Sequence, residues 1–341
     1  MSDPSPAFFV AGAMPLLVTA ATYELGARRR AGVERPVTSL RRALFVAGIG
    51  VFLLSIEWPF AVWENELFSA CQLGIMVARI VAPILIVASR PAGLLIAGLP
   101  RPIRRALLKP GLSQPFVRRA WRVVVHPLAA LSLYVASLYF WEIPGVQTHV
   151  ITEPAAGLSM HFSLLLTGLI FWSRVFARRP APHAPSHAWR LMMIWIAVLS
   201  QILLGAYLAS KSGIFYPSYA ATQLLTTLPP LVDEQTGGFV IWVPSSFLSL
   251  LALIVVIDQF GRHETRMDEK RKRWSPSNSA ILLYPETGVA LRAMTRTKNR
   301  GMAVAMIVFA ALIFLATFGS AVISHRLSWR ENIRQYLQSR S

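Results

Sequence analysis

The sequence predicts an all-α protein, a polytopic bundle of about eight transmembrane helices with its N-terminus outside. Of its 341 residues, 54% are hydrophobic and only 15% are charged, whereas a soluble domain carries nearer a quarter of charged residues. Several apolar runs also reach about 20 residues, which is the length a helix needs to cross the bilayer core. Composition and run length together indicate a multi-pass membrane protein.

Short polar segments separate the apolar runs. The runs cover about 7–26, 43–63, 67–89, 123–142, 155–176, 188–210, 238–260 and 301–324. The expected organisation is a seven-span domain at 1–260, a basic cytoplasmic loop at 261–300, an eighth span at 301–324 and a basic C-terminal tail at 325–341. The N-terminus lacks the basic segment of a signal peptide, so we expect the first run to be retained as a span.

The distribution of basic residues predicts the orientation. With their flanking residues, the four segments predicted to lie inside hold 28 of the 34 lysines and arginines, while the outer loops carry mainly acidic residues. This asymmetry is the positive-inside pattern. The net charge of +18 is then explained by orientation and by contact with an anionic inner leaflet, and we expect no binding to nucleic acid.

One charged residue lies deep in the predicted membrane region. Arg79 falls near the middle of the third run, where a cation should face protein and have a partner. Glu57 in the second run is the nearest acidic residue by depth, so we expect an ion pair between the two. Such a pair is either structural or part of an ion pathway, but a transporter would be expected to show two related halves with interrupted helices.

Two residues near the outer ends of spans could bind a soft metal ion. His161 shares a helix face with Gly168 and Trp172, so it faces protein and is either hydrogen-bonded between helices or a metal ligand beside the Met160 thioether. Cys71, the only cysteine, lies in the outer third of the third run and is either a copper ligand or an ordinary buried thiol.

The sequence contains none of the short motifs that mark common cofactor or catalytic sites. It has no phosphate-binding glycine loop, no HExxH motif and no facing in-span histidines that could hold a haem. No nucleophile lies near a base in a recognisable pattern. We therefore expect neither an enzyme nor a haem protein.

The stretch from Lys211 to Pro244 is the most distinctive part of the chain. It contains FYPSYA and then DEQTGGFVIWVP, and further support comes from His126-Pro127 and from Met160-His161 followed by GLIFW. These segments resemble the polytopic CtaG family of cytochrome c oxidase assembly factors, over about residues 66–260. The aspartate–glutamine–glycine–glycine–tryptophan pattern is the most specific part of the resemblance.

The resemblance implies a multi-pass protein of the bacterial plasma membrane that helps to mature a haem-copper oxidase, with oxidase subunits as partners. It also implies a site on the outer side, for which the candidate Cu(I) ligands here are His161, Cys71, Met160 and Asp233. The residues expected to support this outer pocket are Gln235, Gly237, Gly238, Trp242 and Glu142. The two glycines are expected to let the chain turn tightly into the seventh span.

This sequence departs from the family pattern at several polar positions. Residues that replace histidines or acidic groups of the family are Cys71, Ile75, Glu142, Gly157 and Met160. Thiolate and thioether groups suit Cu(I), so the site could still bind copper. The alternative hypothesis is a copper-free scaffold or accessory subunit that packs against the oxidase, because a fold alone does not determine the site.

Overall fold

The computed structural model describes residues 6–31, 37–57, 60–108, 114–177, 185–222 and 228–274, together with the isolated positions 300, 304 and 307. All regular structure within these residues is helical, which confirms the predicted fold class. The predicted C-terminal tail, almost all of the predicted eighth span and positions 275–299 of the predicted basic loop lie outside the described residues.

We number the described helices in chain order. They are α1 (Pro6–Ala31), α2 (Ser39–Ile56), α3 (Phe60–Glu66), α4 (Phe68–Ser89), α5 (Ala92–Gly98), α6 (Arg101–Ile103), α7 (Pro115–Val124), α8 (Pro127–Trp141), α9 (Pro144–Thr152), α10 (Pro154–Val175), α11 (His187–Ser210), α12 (Pro217–Thr222) and α13 (Pro230–Trp274). Two stretches have π geometry, namely Val77–Val81 inside α4 and Arg104–Leu108 directly after α6. The chain divides into two compact units, Met1–Leu253 and Ile254–Ser341. The first unit contains the site described below.

Five of the described helices are long and apolar enough to cross a membrane. They are α2, α4, α10, α11 from Ala188, and α13 from Pro230 to Glu269. Helices α7 and α8 make a sixth candidate when counted as one span, and they meet at a bend of 66°. The chain is thus a multi-pass membrane protein, and the total of about eight spans stays a prediction.

Proline explains where many of these helices begin. Helices α8, α9, α10 and α13 each start with proline, whose fixed φ suits the first helical turn and whose missing N–H would have no partner there. The predicted seventh span begins earlier than expected for the same reason. Pro230 starts a helix instead of extending the outer loop, so the acidic pair that follows lies in the first turns of α13.

Close helix packing brings α1 against α5 at the predicted inner side. A Cβ atom on Gly26 would lie 1.9 Å from the carbonyl oxygen of Leu94, and one on Gly98 would lie 1.8 Å from that of Thr22. Arg29 donates hydrogen bonds of 2.9 to 3.0 Å to carbonyl oxygens at the C-terminal end of α5. These contacts satisfy carbonyl groups that the helix itself leaves without partners.

Candidate functional site at the outer end of the bundle

Buried polar side chains gather at the end of the bundle that the basic-residue pattern predicts to lie outside, which we call the outer end. We call this group the outer cluster, and its members are Glu64, Cys71, Gln72, Glu142, Gln147, His161, Tyr216 and Tyr219. All eight are buried, on or beside helices α3, α4, α8, α9, α10 and α12. Polar groups buried at such positions must satisfy one another or bind something else.

One contact in the outer cluster joins Glu64 on α3 to His161 on α10. The histidine Nε2 lies 3.2 Å from Oε2 and 3.4 Å from Oε1 of the carboxyl group. Burial raises the pKa of Glu64, and the facing histidine partly opposes that shift. The prediction that His161 faces protein is therefore confirmed, with a carboxyl group as its partner.

The second ring nitrogen of His161 fixes where its proton lies. Nδ1 is 3.0 Å from the carbonyl oxygen of Gly157, which can only accept, so Nδ1 carries a hydrogen and donates it. A hydrogen bond between Nε2 and Glu64 then needs a further proton, on either Nε2 or the carboxyl oxygen. The pair is therefore either a protonated histidine beside a carboxylate or a neutral histidine beside a protonated carboxyl group.

Gly74 of α4 makes room for this pair. A Cβ atom at that position would lie 1.6 Å from Oε1 of Glu64 and 3.2 Å from Nε2 of His161. The carboxyl group therefore rests directly on the backbone of α4. A side chain of any size at position 74 would displace it.

Cys71 lies one helical turn before Gly74 and is 2% exposed. The hydroxyl group of Tyr219 is within hydrogen-bonding reach of its thiol, and the same hydroxyl donates to Oε1 of Gln147 at 3.3 Å. The carboxyl groups of Glu64 and Glu142 lie within electrostatic range of the thiol. The thiol thus lies in the hydrophobic core with the hydroxyl group of Tyr219 and the amide of Gln147 beside it.

Glu142 follows the last residue of α8 and interacts with Tyr216. The tyrosine hydroxyl donates to the glutamate carbonyl oxygen at 2.8 Å and lies 3.3 Å from Oε2. Burial raises the pKa of Glu142 to about 7, although hydrogen bonds and the positive charges of Arg79 and Lys211 oppose the shift. This carboxyl group therefore titrates near neutral pH.

Several buried polar atoms of the outer cluster have no hydrogen-bond partner among the described residues. They are both amide atoms of Gln72, Oε1 of Glu142 and Nε2 of Gln147. Gln72 lies beside Glu142 but without a hydrogen bond of normal geometry. A cavity of ≈ 10 Å³ separates Gln72 from Arg79, and that is about the space that one water molecule needs. Polar groups of the outer cluster therefore border a space that reaches toward the middle of α4.

Asp233 is committed to the start of another helix. Its Oδ2 accepts the backbone N–H of Phe68 at 2.7 Å, and its Oδ1 accepts the backbone N–H of Ser69 at 3.2 Å as well as the hydroxyl of Ser69. A carboxylate at the N-terminus of a helix satisfies free N–H groups and the helix dipole together. This predicted copper ligand therefore caps α4 from α13.

The next two residues of α13 hold the loop after α11. Glu234 forms a buried ion pair with Lys211 and accepts the backbone N–H groups of Phe215 and Tyr216, both at 2.9 Å. Gln235 donates to the carbonyl oxygen of Lys211 at 2.9 Å. Burial lowers the pKa of Lys211, while its carboxylate partner opposes that shift. Asp233 thus binds the backbone at the start of α4, and Glu234 and Gln235 bind the backbone of the loop after α11.

The prediction that Gly237 and Gly238 form a tight turn is wrong. Both lie inside α13, and no described glycine has a positive φ. A Cβ on Gly237 would lie 2.3 Å from the ring of Phe68, and one on Gly238 would lie 2.6 Å from the backbone nitrogen of Ala209. The two glycines therefore permit close contact of α13 with α4 and α11. Trp242, another predicted pocket residue, is buried in the α11 contact.

The structure gives Arg79 a partner other than the predicted Glu57. The Arg79 guanidinium donates to the carbonyl oxygen of Tyr134 at 3.0 Å and lies 3.7 Å from the centre of that ring. No ion pair with Glu57 occurs within the part of the chain that the structure describes. Glu57 directly follows α2, whereas Arg79 lies in the π turn of α4. The indole N–H of Trp172 donates a hydrogen bond to the backbone carbonyl oxygen of Arg79.

The predicted copper ligands do not form a ready site in this conformation. Among the described residues, no group of three or more His, Cys, Asp and Glu side chains could hold a metal ion. Asp233 caps α4, and Nε2 of His161 contacts the carboxyl group of Glu64. Cys71 and Met160 are both buried nearby, with Met160 packed in the hydrophobic core.

Sequence reasoning missed most of the residues that complete the outer cluster. Glu64 falls between two predicted spans, and no motif marks Gln72, Gln147 or Tyr219 as site residues. A weak signal existed, because glutamine within or beside an apolar run is expensive unless it has a partner in the protein. The partner itself could not be read from the sequence, since Glu64 and His161 lie 97 positions apart.

The fold and the outer cluster define a class, that of helical multi-pass membrane proteins with a buried polar site at one end of the bundle. Residues 20–263 match the family described as cytochrome c oxidase caa3 assembly factor (Caa3_CtaG). The chain belongs to this family. The matched range contains every residue of the outer cluster.

Relatives among curated proteins come from mycobacteria. The chain is 22% identical over 298 residues to uncharacterized protein Mb0105 of Mycobacterium bovis and to uncharacterized protein MT0111 of Mycobacterium tuberculosis, an alignment that covers 83% of this chain. It is 20% identical to uncharacterized protein ML1998 of Mycobacterium leprae, over 80% of this chain. These alignments span only 43% and 41% of the relatives' own lengths. No solved structure matches the chain.

Proposed function

We propose that this protein is a bacterial plasma-membrane assembly factor for a cytochrome c oxidase and acts as a copper-free scaffold at the outer face. Membership of the assembly-factor family supports a role in oxidase assembly. The scaffold form is supported by one observation above all, the capping of α4 by Asp233. The acidic residue most characteristic of the family resemblance is used to join helices.

The other charged groups of the outer end support the same proposal. Glu234 is occupied by Lys211 and by loop backbone, and Glu64 is occupied by His161. Each contact ties together segments that are distant in sequence. These contacts favour one conformation of the outer end, as is common for surfaces that bind a protein partner.

Copper handling at the outer face is the second candidate function. It is favoured by the position of Cys71, one turn from Gly74, where His161 and Glu64 meet. A thiol and an imidazole near one carboxyl group, with the Met160 thioether adjacent in sequence to His161, supply donors that suit Cu(I). His161 can offer only Nε2 to a metal, because Nδ1 donates to Gly157.

Replacement of Cys71 by serine separates the two candidates. Serine keeps a hydroxyl that can hydrogen-bond to Tyr219 but is a poor ligand for Cu(I). Cells that carry Cys71→Ser in place of the native protein should assemble normal amounts of oxidase if the protein is a scaffold. The assembled oxidase is quantified from its haem absorption spectrum and its subunits from co-purification with the tagged protein.

The copper candidate predicts the opposite outcome. Purified protein under reducing conditions should then retain about one Cu(I) ion, and Cys71→Ser should lose both this ion and oxidase assembly. Co-purification of oxidase subunits from copper-depleted cells would support the scaffold. If oxidase assembles normally in cells that lack the protein altogether, both candidates are wrong.

A further inference from the structure

Helix α7 has an amphipathic surface that no described part of the protein covers. None of its residues is buried, and Phe116, Trp121 and Val123 are 78%, 60% and 61% exposed. At 100° per residue, its apolar side chains occupy one side of the helix. Its three arginines, at 118, 119 and 122, occupy the other side.

The junction between α7 and α8 forms a basic cavity. The chain bends by 66° at His126-Pro127, because proline starts α8 and disfavours a helical conformation at the residue before it. A cavity of ≈ 460 Å³ opens beside this bend. Its lining consists of Arg119, Arg122, Val123, His126, Leu128 and Ala129, with no acidic side chain.

We propose that α7 lies in the inner membrane interface and that this cavity binds the phosphate headgroup of an anionic phospholipid. Arginine is well suited to phosphate, and two guanidinium groups line the cavity. The apolar side of α7 would enter the acyl region, where its exposed aromatic side chains are favourable. The proposal does not depend on oxidase assembly or on copper.

The position of α7 supports a lipid as the occupant. The segment lies in the inner region 90–122 and the adjoining start of α8, where the positive-inside pattern places the chain next to the anionic leaflet. A helix with three arginines on one side cannot cross the bilayer core cheaply. The same helix at the interface exposes its arginines to headgroups and its apolar side to acyl chains.

The site can be tested by titrating phospholipids into the full-length protein in detergent and counting bound lipids by native mass spectrometry. Phosphatidylglycerol should bind more tightly than phosphatidylcholine. The double variant Arg119→Gln/Arg122→Gln should bind phosphatidylglycerol roughly 30-fold more weakly, at about 1 kcal/mol for each basic residue near an anionic surface. Its affinity for phosphatidylcholine should stay the same.

Arg101→Gln/Arg104→Gln is the matched control. It removes the same charge from exposed arginines of the neighbouring inner segment, which do not line the cavity. Equal loss of phosphatidylglycerol binding in both double variants would overturn the proposal, as would unchanged binding in Arg119→Gln/Arg122→Gln. Displacement of the lipid by an equal concentration of inorganic phosphate, or a stable dimer that covers α7 and excludes lipid, would also overturn it.

Discussion

Nε2 of His161 lies 3.2 Å from Oε2 of Glu64, and both side chains are buried at the outer end of the bundle. Because the other ring nitrogen donates to Gly157, the contact must contain an additional proton. The pair joins α3 to α10 and at the same time occupies the only nitrogen that His161 could offer to a metal. Any ligand of this histidine must therefore compete with Glu64.

Removal of the Glu64 carboxyl group should destabilise the protein strongly. We expect Glu64→Ala to lower the free energy of unfolding by about 3 kcal/mol, because it leaves a buried histidine without its partner. Cys71 is the only cysteine and is buried, so its reaction with a thiol-reactive dye during heating reports unfolding. The control is Glu153→Ala, at an exposed position of the same outer end.

A double-mutant cycle then tests the contact itself. Glu64→Ala should cost far less when His161 is already alanine, since the interaction is absent in that background. Equal costs in both backgrounds would show that the two side chains do not interact.

Gly74→Ala should disturb the same pair from the side of α4. The new Cβ would lie 1.6 Å from the Glu64 carboxyl group, so the carboxyl must leave its position, and we expect a loss of about 2 kcal/mol in stability. The matched control is Gly50→Ala in α2, where a new Cβ meets nothing within 4 Å. That control should be neutral or stabilising, because alanine favours helix. Equal stability of the two variants would contradict the packing described for α4.

Asp233→Ala should weaken the start of α4. It removes the acceptor of two backbone N–H groups, and loss of a helix cap typically costs about 1 kcal/mol or somewhat more. Hydrogen exchange measured by mass spectrometry should show faster exchange at Phe68 and Ser69. Asp258→Ala is the control on the same helix, because the Asp258 carboxylate is half exposed and pairs with Arg262 one turn away. Unchanged exchange at the start of α4 would refute the capping role.

Glu142 should make stability depend on pH around neutrality. Its pKa is raised from 4.5 to about 7 by burial, so the folded protein favours the neutral carboxyl group. This contribution is fully present below the unfolded value of 4.5 and is lost as the pH rises through about 7, a change of the order of 3 kcal/mol. Thermal unfolding at a series of pH values measures it.

Glu142→Gln supplies the comparison for this pH dependence. Glutamine stays neutral and keeps an oxygen for the Tyr216 hydroxyl, so the variant should lose the fall in stability between about pH 5 and about pH 8. Glu153→Gln should keep the wild-type profile. An identical profile in wild type and Glu142→Gln would show that this carboxyl group does not titrate in that range.

Much of the helical framework could be predicted from local sequence. The third, fifth and sixth apolar runs coincide within a few residues with Phe68–Ser89, Pro154–Val175 and His187–Ser210. Run length, proline and charged flanks are local properties, so they fix where a span starts and stops. The family resemblance was also carried by contiguous motifs, and residues 20–263 confirm it.

The partners of the polar residues could not be predicted in the same way. Asp233 was expected at a metal site and caps α4, and Arg79 was expected beside Glu57 and lies over Tyr134. The sequence indicates the depth of each polar side chain in the membrane. It does not indicate how each helix is rotated about its axis. Small changes in rotation decide which of several side chains at one depth can meet.

By itself the sequence determined that this chain is an α-helical membrane protein of the assembly-factor family, because hydrophobic run length and short motifs lie along the chain. Only the tertiary structure decided that Glu64 pairs with His161 and that Gly74 admits the carboxyl group. Those contacts depend on how α3, α4 and α10 pack, and packing is settled by the shapes of surfaces that are remote in sequence.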